Sequence, residues 1–274
     1  MTKWVLRSGV WLAVMIVGLM MVVPFLWMVL TALKTDAEAF RFPPQPLPAS
    51  PQWSNFADAW MTAPFGRFFF NSVVISLSVT AGSLLLNSMA AFAFAKYPFR
   101  GRDAMFLAIL GTMMIPGQVT MIPSFFLLKY LGWLDTYTGL IVPGIASAFG
   151  IFFLRQAMLT IPDDYLDAAR LDGASELGIY WRVAMPLVKP AVATLSVFTF
   201  LGAWNDFLGP LIVVKSEEMK TLPLAISALS SGHYVMSWPL LMAGASFVVV
   251  PVLLVYLWAQ RYFVEGIAAG GLKG

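Results

Sequence analysis

The chain has 274 residues, 59% of them hydrophobic and 11% charged, with a formal net charge of +3, no cysteine and one histidine. Ordinary soluble domains hold about 45–50% apolar and 25% charged residues, so this composition describes a polytopic membrane protein. It excludes disulfides, thiolate chemistry and Cys-ligated metals, and one histidine leaves no imidazole cluster for a metal.

Spans of about 20 apolar residues are needed to cross a bilayer. The apolar runs predict an all-α fold of six transmembrane helices, at about 9–33, 69–95, 104–128, 138–159, 187–208 and 240–260. They use nearly the whole chain, so residues 1–274 read as a single transmembrane domain. Lys3 and Arg7 precede the first run, which far exceeds the about 7–15 residues of a signal-peptide core and is read as a retained span.

Between the first two spans, FPPQPLPASP (42–51) is expected to be extended, because proline fixes φ and cannot sustain a helix. NFADAWMTAP follows and predicts a short interfacial helix, with Trp53 and Trp60 at headgroup level. Pro116-Gly117 and Pro123 interrupt the third span, and Pro143-Gly144 and Gly150 the fourth. Each proline frees a carbonyl that lipid cannot satisfy, which is tolerable against a neighbouring helix or a water-lined cavity. The last outer loop, about 209–239, contains His233, read as solvated or facing an external partner. The terminal GGLKG is too glycine-rich to hold a helix.

With six spans both termini share a side. That side collects eleven of the seventeen lysines and arginines: Lys3, Arg7, Lys96, Arg100, Arg102, Arg155, Arg170, Arg182, Lys189, Arg261 and Lys273. The positive-inside bias therefore places both termini in the cytoplasm. The basic residues form no patch of the kind that binds nucleic acid, and the lipid bilayer is the partner they imply.

The spans carry no ionisable residue at mid-depth, although ion-coupled carriers generally need one to bind or relay the coupling ion. Energy is therefore expected from elsewhere. Asn205 and Asp206 close the fifth span, and Asn87 and Ser88 lie deep in the second; all four are candidates for a solute path, with interfacial anchoring and interhelical hydrogen bonding as the plainer accounts.

The densest polar segment is Ile161–Pro190, which holds Asp163, Asp164, Asp167, Arg170, Asp172, Glu176, Arg182 and Lys189. Pro162 and the aspartates predict a helix start, and Gly173 a left-handed stop. Ser175 predicts the cap of a second helix with Leu177, Tyr180 and Trp181 as its apolar face.

In this loop Asp167-Ala168-Ala169 is followed after three residues by Gly173 and after nine more by Val183-Ala184-Met185-Pro186. The spacing resembles the EAA loop of membrane subunits of binding-protein-dependent ABC importers, with Asp167 in place of glutamate, Val183 of isoleucine and Met185 of leucine. LGAWNDFLGPLIV (201–213), NSVVISLSVT, AAFAFAKYPFRGRD and the ending QRYFVEGIAAGGLKG resemble the carbohydrate-uptake, maltose-permease-like branch.

The resemblance implies the type I importer permease fold in a prokaryotic inner membrane. It also implies an ATPase-coupling role for Asp167, Ala168, Ala169, Gly173 and Pro186. Implied partners are a second homologous permease, two copies of a cytoplasmic ABC ATPase and an extracytoplasmic solute-binding protein delivering a sugar or sugar-like solute. The chain has no phosphate loop of its own, so it is expected to bind no cofactor and catalyse nothing; ATP and magnesium belong on the ATPase. A secondary ion-coupled solute transporter is the alternative reading, and an integral-membrane enzyme lacks converging catalytic groups.

Overall fold

A computed structural model describes residues 2–230 and 237–271 of the chain. Among the described residues all regular structure is helical. In chain order the α-helices are α1 Thr2–Ala32, α2 Asp36–Ala39, α3 Ser54–Thr62, α4 Phe65–Lys96, α5 Arg102–Thr112, α6 Gly117–Tyr130, α7 Tyr137–Ile141 and α8 Ala148–Leu159. They continue with α9 Asp163–Leu171, α10 Glu176–Ile179, α11 Met185–Leu187, α12 Lys189–Trp204, α13 Leu208–Val213, α14 Leu222–Ser230 and α15 Trp238–Gly271.

Three segments are long and apolar enough to cross a membrane alone: Val10–Ala32 in α1, Phe65–Lys96, and Trp238–Trp258 in α15. The others are broken. Arg102–Thr112 and Gly117–Tyr130 meet at 98°, Tyr137–Gly144 and Ala148–Leu159 at 41°, and Glu176–Leu187 and Lys189–Trp204 at 83°. The run expected as one span over 104–128 is therefore two helices at nearly a right angle. Pro116, with no N–H to donate, stands at the break as the cap of α6. Pro123 lies inside α6. The fifth apolar run ends at Trp204, earlier than 208, and restarts as α13. At the other end of the chain α15 takes in Gly270 and Gly271, the first two residues of the tail expected not to hold a helix; His233 and residues 272–274 lie outside the described residues.

The chain divides into two compact units, one of residues 1–66 with 225–251, the other of 67–224 with 252–274. In the first, Ala32, Ala59 and Ala243 are fully buried and packed by Phe56, Met242 and Phe247. The small side chains allow close helix approach, as membrane packing without a hydrophobic drive requires. Trp60 and Phe65 flank Phe247 at centroid distances of 5.0 and 6.0 Å. The predicted helix after the proline stretch is α3, and Asn55 near its start donates to the carbonyls of Ala32 and Lys34 at 2.8 and 2.9 Å, satisfying the open end of α1.

In the second unit a core of Ala91, Phe92, Ala95, Leu154, Met158, Ile161, Leu166, Ile179, Tyr180, Ala184, Val188 and Leu195 joins one end of α4 and α8 to the 161–190 loop. At the other end of α4, buried Asn71 donates to the carbonyls of Glu218 and Lys220 and accepts from the Tyr137 hydroxyl at 2.6 Å. Ser72 there accepts from the Leu222 amide at 2.9 Å. Asp135, in the left-handed region at φ 60°, accepts the amides of Lys215 and Ser216, each at 3.0 Å. Burial works against its charge, but those amides and the Ser216 hydroxyl outweigh it and hold the carboxyl below its ordinary pKa.

Candidate functional site

The 161–190 loop folds as its capping residues predict. α9 begins after Pro162 with Asp163 and Asp164 in its first turn. It ends in a Schellman motif: Gly173 adopts φ 81° and donates to the Arg170 carbonyl, while the Ala174 amide donates to the Ala169 carbonyl, both at 3.0 Å. Ser175 then accepts from the Gly178 amide at 3.2 Å and opens α10. A π-helical turn, Tyr180–Ala184, follows and leads into α11.

Arg170 organises the charges of this unit. It donates to Asp167 at 2.8 Å and, through Nε and Nη2, to the two carboxylate oxygens of Glu176 at 2.9 and 3.3 Å. Glu176 also accepts from the Tyr97 hydroxyl, just past the end of α4. The Arg170 hydrogen bonds and then that of Tyr97 hold the Glu176 carboxyl below its ordinary pKa. Burial first, and the Glu176 bond second, push the Tyr97 phenol up to about 12. A second tie runs from Lys96, whose side chain is only 4% exposed, to Asp163 at 2.7 Å and the Ile161 carbonyl at 2.5 Å. Lys96 thereby holds the Asp163 carboxyl below its ordinary pKa.

Beneath these contacts Leu166, Ile179, Tyr180 and Ala184 are buried. Tyr180 shares a 2.6 Å hydrogen bond with Ser88 of α4 and lies 5.6 Å from the Phe92 ring. The expected apolar face of Leu177, Tyr180 and Trp181 is corrected here: Leu177 and Trp181 point outward, and Ile179 takes the buried place. The short α10 and the π turn rotate the face relative to a continuous α-helix. Asp167, Ala168, Gly173 and Pro186 lie on the exposed side, and Ala169 is half-buried against the core. Leu171, 90% exposed, stands with Tyr165, Leu177 and Trp181 on that open surface.

Elsewhere in the same unit, α4, α6, α7, α8, α12 and α13 surround a cavity of about 660 Å³. Its lining residues include Ser72, Ser83, Thr120, Ser124, Ser147, Thr199 and Thr221 among apolar side chains, with glycines at 117, 139, 144, 202 and 209. Asp206 is the charged residue among those lining it. The breaks in the third and fourth runs thus border a cavity whose lining mixes hydroxyl-bearing and apolar side chains.

Of the four solute-path candidates, Asp206 lines this cavity and accepts from the Gly209 amide at 3.2 Å. Asn205 instead caps its own helix by donating to the Leu201 carbonyl. Asn87 and Ser88 are fully buried. Asn87 donates to Ser83 at 2.6 Å and accepts the Ser147 amide at 3.0 Å, fixing the gap between α7 and α8. Sequence reading did not single out Tyr97 or the cavity-lining Thr221; a lone tyrosine after a lysine and a threonine in a loop give no pattern to find.

Broken helices around a hydroxyl-lined cavity, with a charged helix–glycine–helix loop packed against span ends, define a membrane permease. The model for the binding-protein-dependent transport system inner membrane component matches residues 83–268, and the chain belongs to that family. It is 38% identical over 274 residues to the arabinooligosaccharides transport system permease protein AraQ of Bacillus subtilis strain 168, covering 98% of this chain and 97% of that one. It is 35% identical over 261 residues to the sn-glycerol-3-phosphate transport system permease protein UgpE of Pectobacterium atrosepticum, covering 92% and 93%. Among solved structures, a bacterial ABC transporter involved in the import of the acidic polysaccharide alginate matches with a TM-score of 0.82 and 26% identity, covering 94% of this chain and 96% of that one. The chain is thus an all-α, type I ABC permease and an inner-membrane component. The ion-coupled alternative finds no support.

Proposed function

We propose that this chain, as one transmembrane domain, forms half of the translocation pathway of an ATP-driven importer for a sugar or sugar-like solute, and has no catalytic activity itself. A second permease of the same family supplies the other half, and an external binding protein delivers the solute. Two copies of a cytoplasmic ATPase carry ATP and magnesium. The named relatives support the carbohydrate class, and the lysine and arginine distribution supports cytoplasmic termini.

One observation carries the coupling assignment. The 161–190 unit turns Asp167, Ala168, Gly173 and Leu171 outward while Leu166, Ile179 and Tyr180 anchor it in the core shared with α4 and α8. Force applied by a partner at that open surface therefore reaches two span ends directly. Asp167, Ala168 and Ala169 form the contact, Gly173 the bend, and Pro186 the return toward α12. Asp206 and the hydroxyl wall form this chain's part of the solute path, with Asn87 and Ser88 supporting it from behind.

The test is uptake into proteoliposomes carrying the complete complex. Uptake should require both ATP and the ATPase subunit; uptake that persists without them under an ion gradient would contradict the proposal.

A further inference from the structure

The cavity in the second unit has a charge pattern that bears on its cargo. Its polar wall is built of neutral hydroxyls, and its charged lining residue, Asp206, is acidic. One Asp206 oxygen caps the Gly209 amide. No ion pair joins Asp206 to a lysine or arginine among the described residues, and the side chain is exposed. Thr221 also lines the cavity; it is 5% exposed, and its buried Oγ1 has no hydrogen-bond partner among the described residues.

We propose that the cavity selects cargo by charge: it takes a neutral, polyhydroxylated solute, with Asp206 and the exposed hydroxyls of Thr120 and Ser124 bonding its hydroxyls, and Asp206 repels phosphorylated or uronate-bearing solutes. The inference rests on the permease reading and separates this chain from relatives whose names point to anionic cargo. A carboxylate on a cavity wall acts over several ångströms, because Coulomb energy falls only inversely with distance and with the effective dielectric. Meanwhile hydroxyls and glycine-exposed backbone serve a sugar as both donors and acceptors.

The chain has no native cysteine, so a thiol introduced into it, with its labelling read on this subunit after separation from the others, reports on the cavity. Thr199→Cys, in the complete complex in proteoliposomes, is reacted with a cationic (trimethylammonium) and an anionic (sulfonate) ethyl methanethiosulfonate, each rate normalised to a free thiol in solution. The cation should be favoured on the order of tenfold. Asp206→Asn keeps the oxygen that caps Gly209 while removing the charge, and it should abolish that preference. A preference that is absent, reversed or unchanged in Asp206→Asn overturns the proposal.

Cargo is then read directly from ATP-driven uptake of arabinotriose, triguluronate and sn-glycerol 3-phosphate by the same complex. Faster uptake of arabinotriose than of either anion supports the proposal, and an anion taken up as fast or faster overturns it. Thiol reactivity that fails to change between ATP and ADP would contradict the permease reading instead, leaving the charge assignment to stand on its own ratio.

Discussion

The Arg170 guanidinium holds Glu176 through two nitrogens, at 2.9 and 3.3 Å, across the left-handed turn at Gly173. The pair fixes the angle between α9 and α10, and Tyr97 extends it to the end of α4. Exposed pairs of this kind contribute about 0–1 kcal/mol each, so their role is to set geometry more than global stability.

Arg170→Ala should therefore leave the protein inserted while loosening the turn. Backbone hydrogen exchange over residues 172–178 should speed up several-fold with little change elsewhere, and uptake per ATP hydrolysed should fall. Unchanged exchange in that segment would mean that the caps alone hold it.

The pH dependence of the same turn follows from its two shifted groups. Glu176 is held below its ordinary value, so its contribution is present above about pH 4.5 and lost as pH falls through the depressed folded value. Tyr97 is pushed up to about 12, so its contribution is present below about pH 10 and lost between 10 and 12. Exchange protection at 172–178, corrected for intrinsic rates, should be flat between about pH 5 and 9 and weaken on both sides. Tyr97→Phe should remove the alkaline limb only.

At Gly173 an added Cβ meets nothing within 4 Å, so substitution tests the backbone alone. Gly173→Ala should destabilise the turn by about 1–2 kcal/mol, the cost of left-handed backbone for an L-residue. Gly173→Asn should cost less, since asparagine tolerates that region. Equal loss of ATPase co-purification in the two variants would argue for a side-chain clash with the partner rather than turn strain.

Ser88 and Tyr180 should respond unequally. The Ser88 hydroxyl also bonds the Leu84 carbonyl within its own helix. Tyr180→Phe therefore leaves Ser88 satisfied, whereas Ser88→Ala strands the buried Tyr180 hydroxyl at a cost of about 1–3 kcal/mol. Thermal unfolding of the purified protein should rank wild type, Tyr180→Phe and Ser88→Ala in falling stability, with the double variant recovering part of the loss.

Much of this architecture could be read in the sequence because local chemistry determines it. Pro162, Gly173 and Ser175 act through their own backbone and caps, so the helix–glycine–helix unit appears where they stand. α3 follows in the same way, whereas the proline-rich stretch before it is non-helical but bends at 42–43, 46–47 and 49–50 instead of running extended. The 98° turn between α5 and α6 was not legible in degree, since Pro116 signals a break but tertiary packing sets its angle. Asn87 was recognisable as a buried polar residue, but its bond to the Ser147 amide depends on a helix sixty residues away. The outward turn of Leu177 and Trp181 arises from a π turn that helical periodicity cannot anticipate. The cavity, assembled from residues 72 to 221, has no linear signature.

The coupling role of the 161–190 loop is tested most directly by Asp167→Lys, at an exposed position whose described bond is to Arg170. Membrane insertion, co-purification of the ATPase and ATP-driven uptake are measured on the same preparation. The variant should insert normally, lose the ATPase and stop uptake. Uptake at the wild-type rate with the ATPase retained would contradict the assignment of this surface as the ATPase contact.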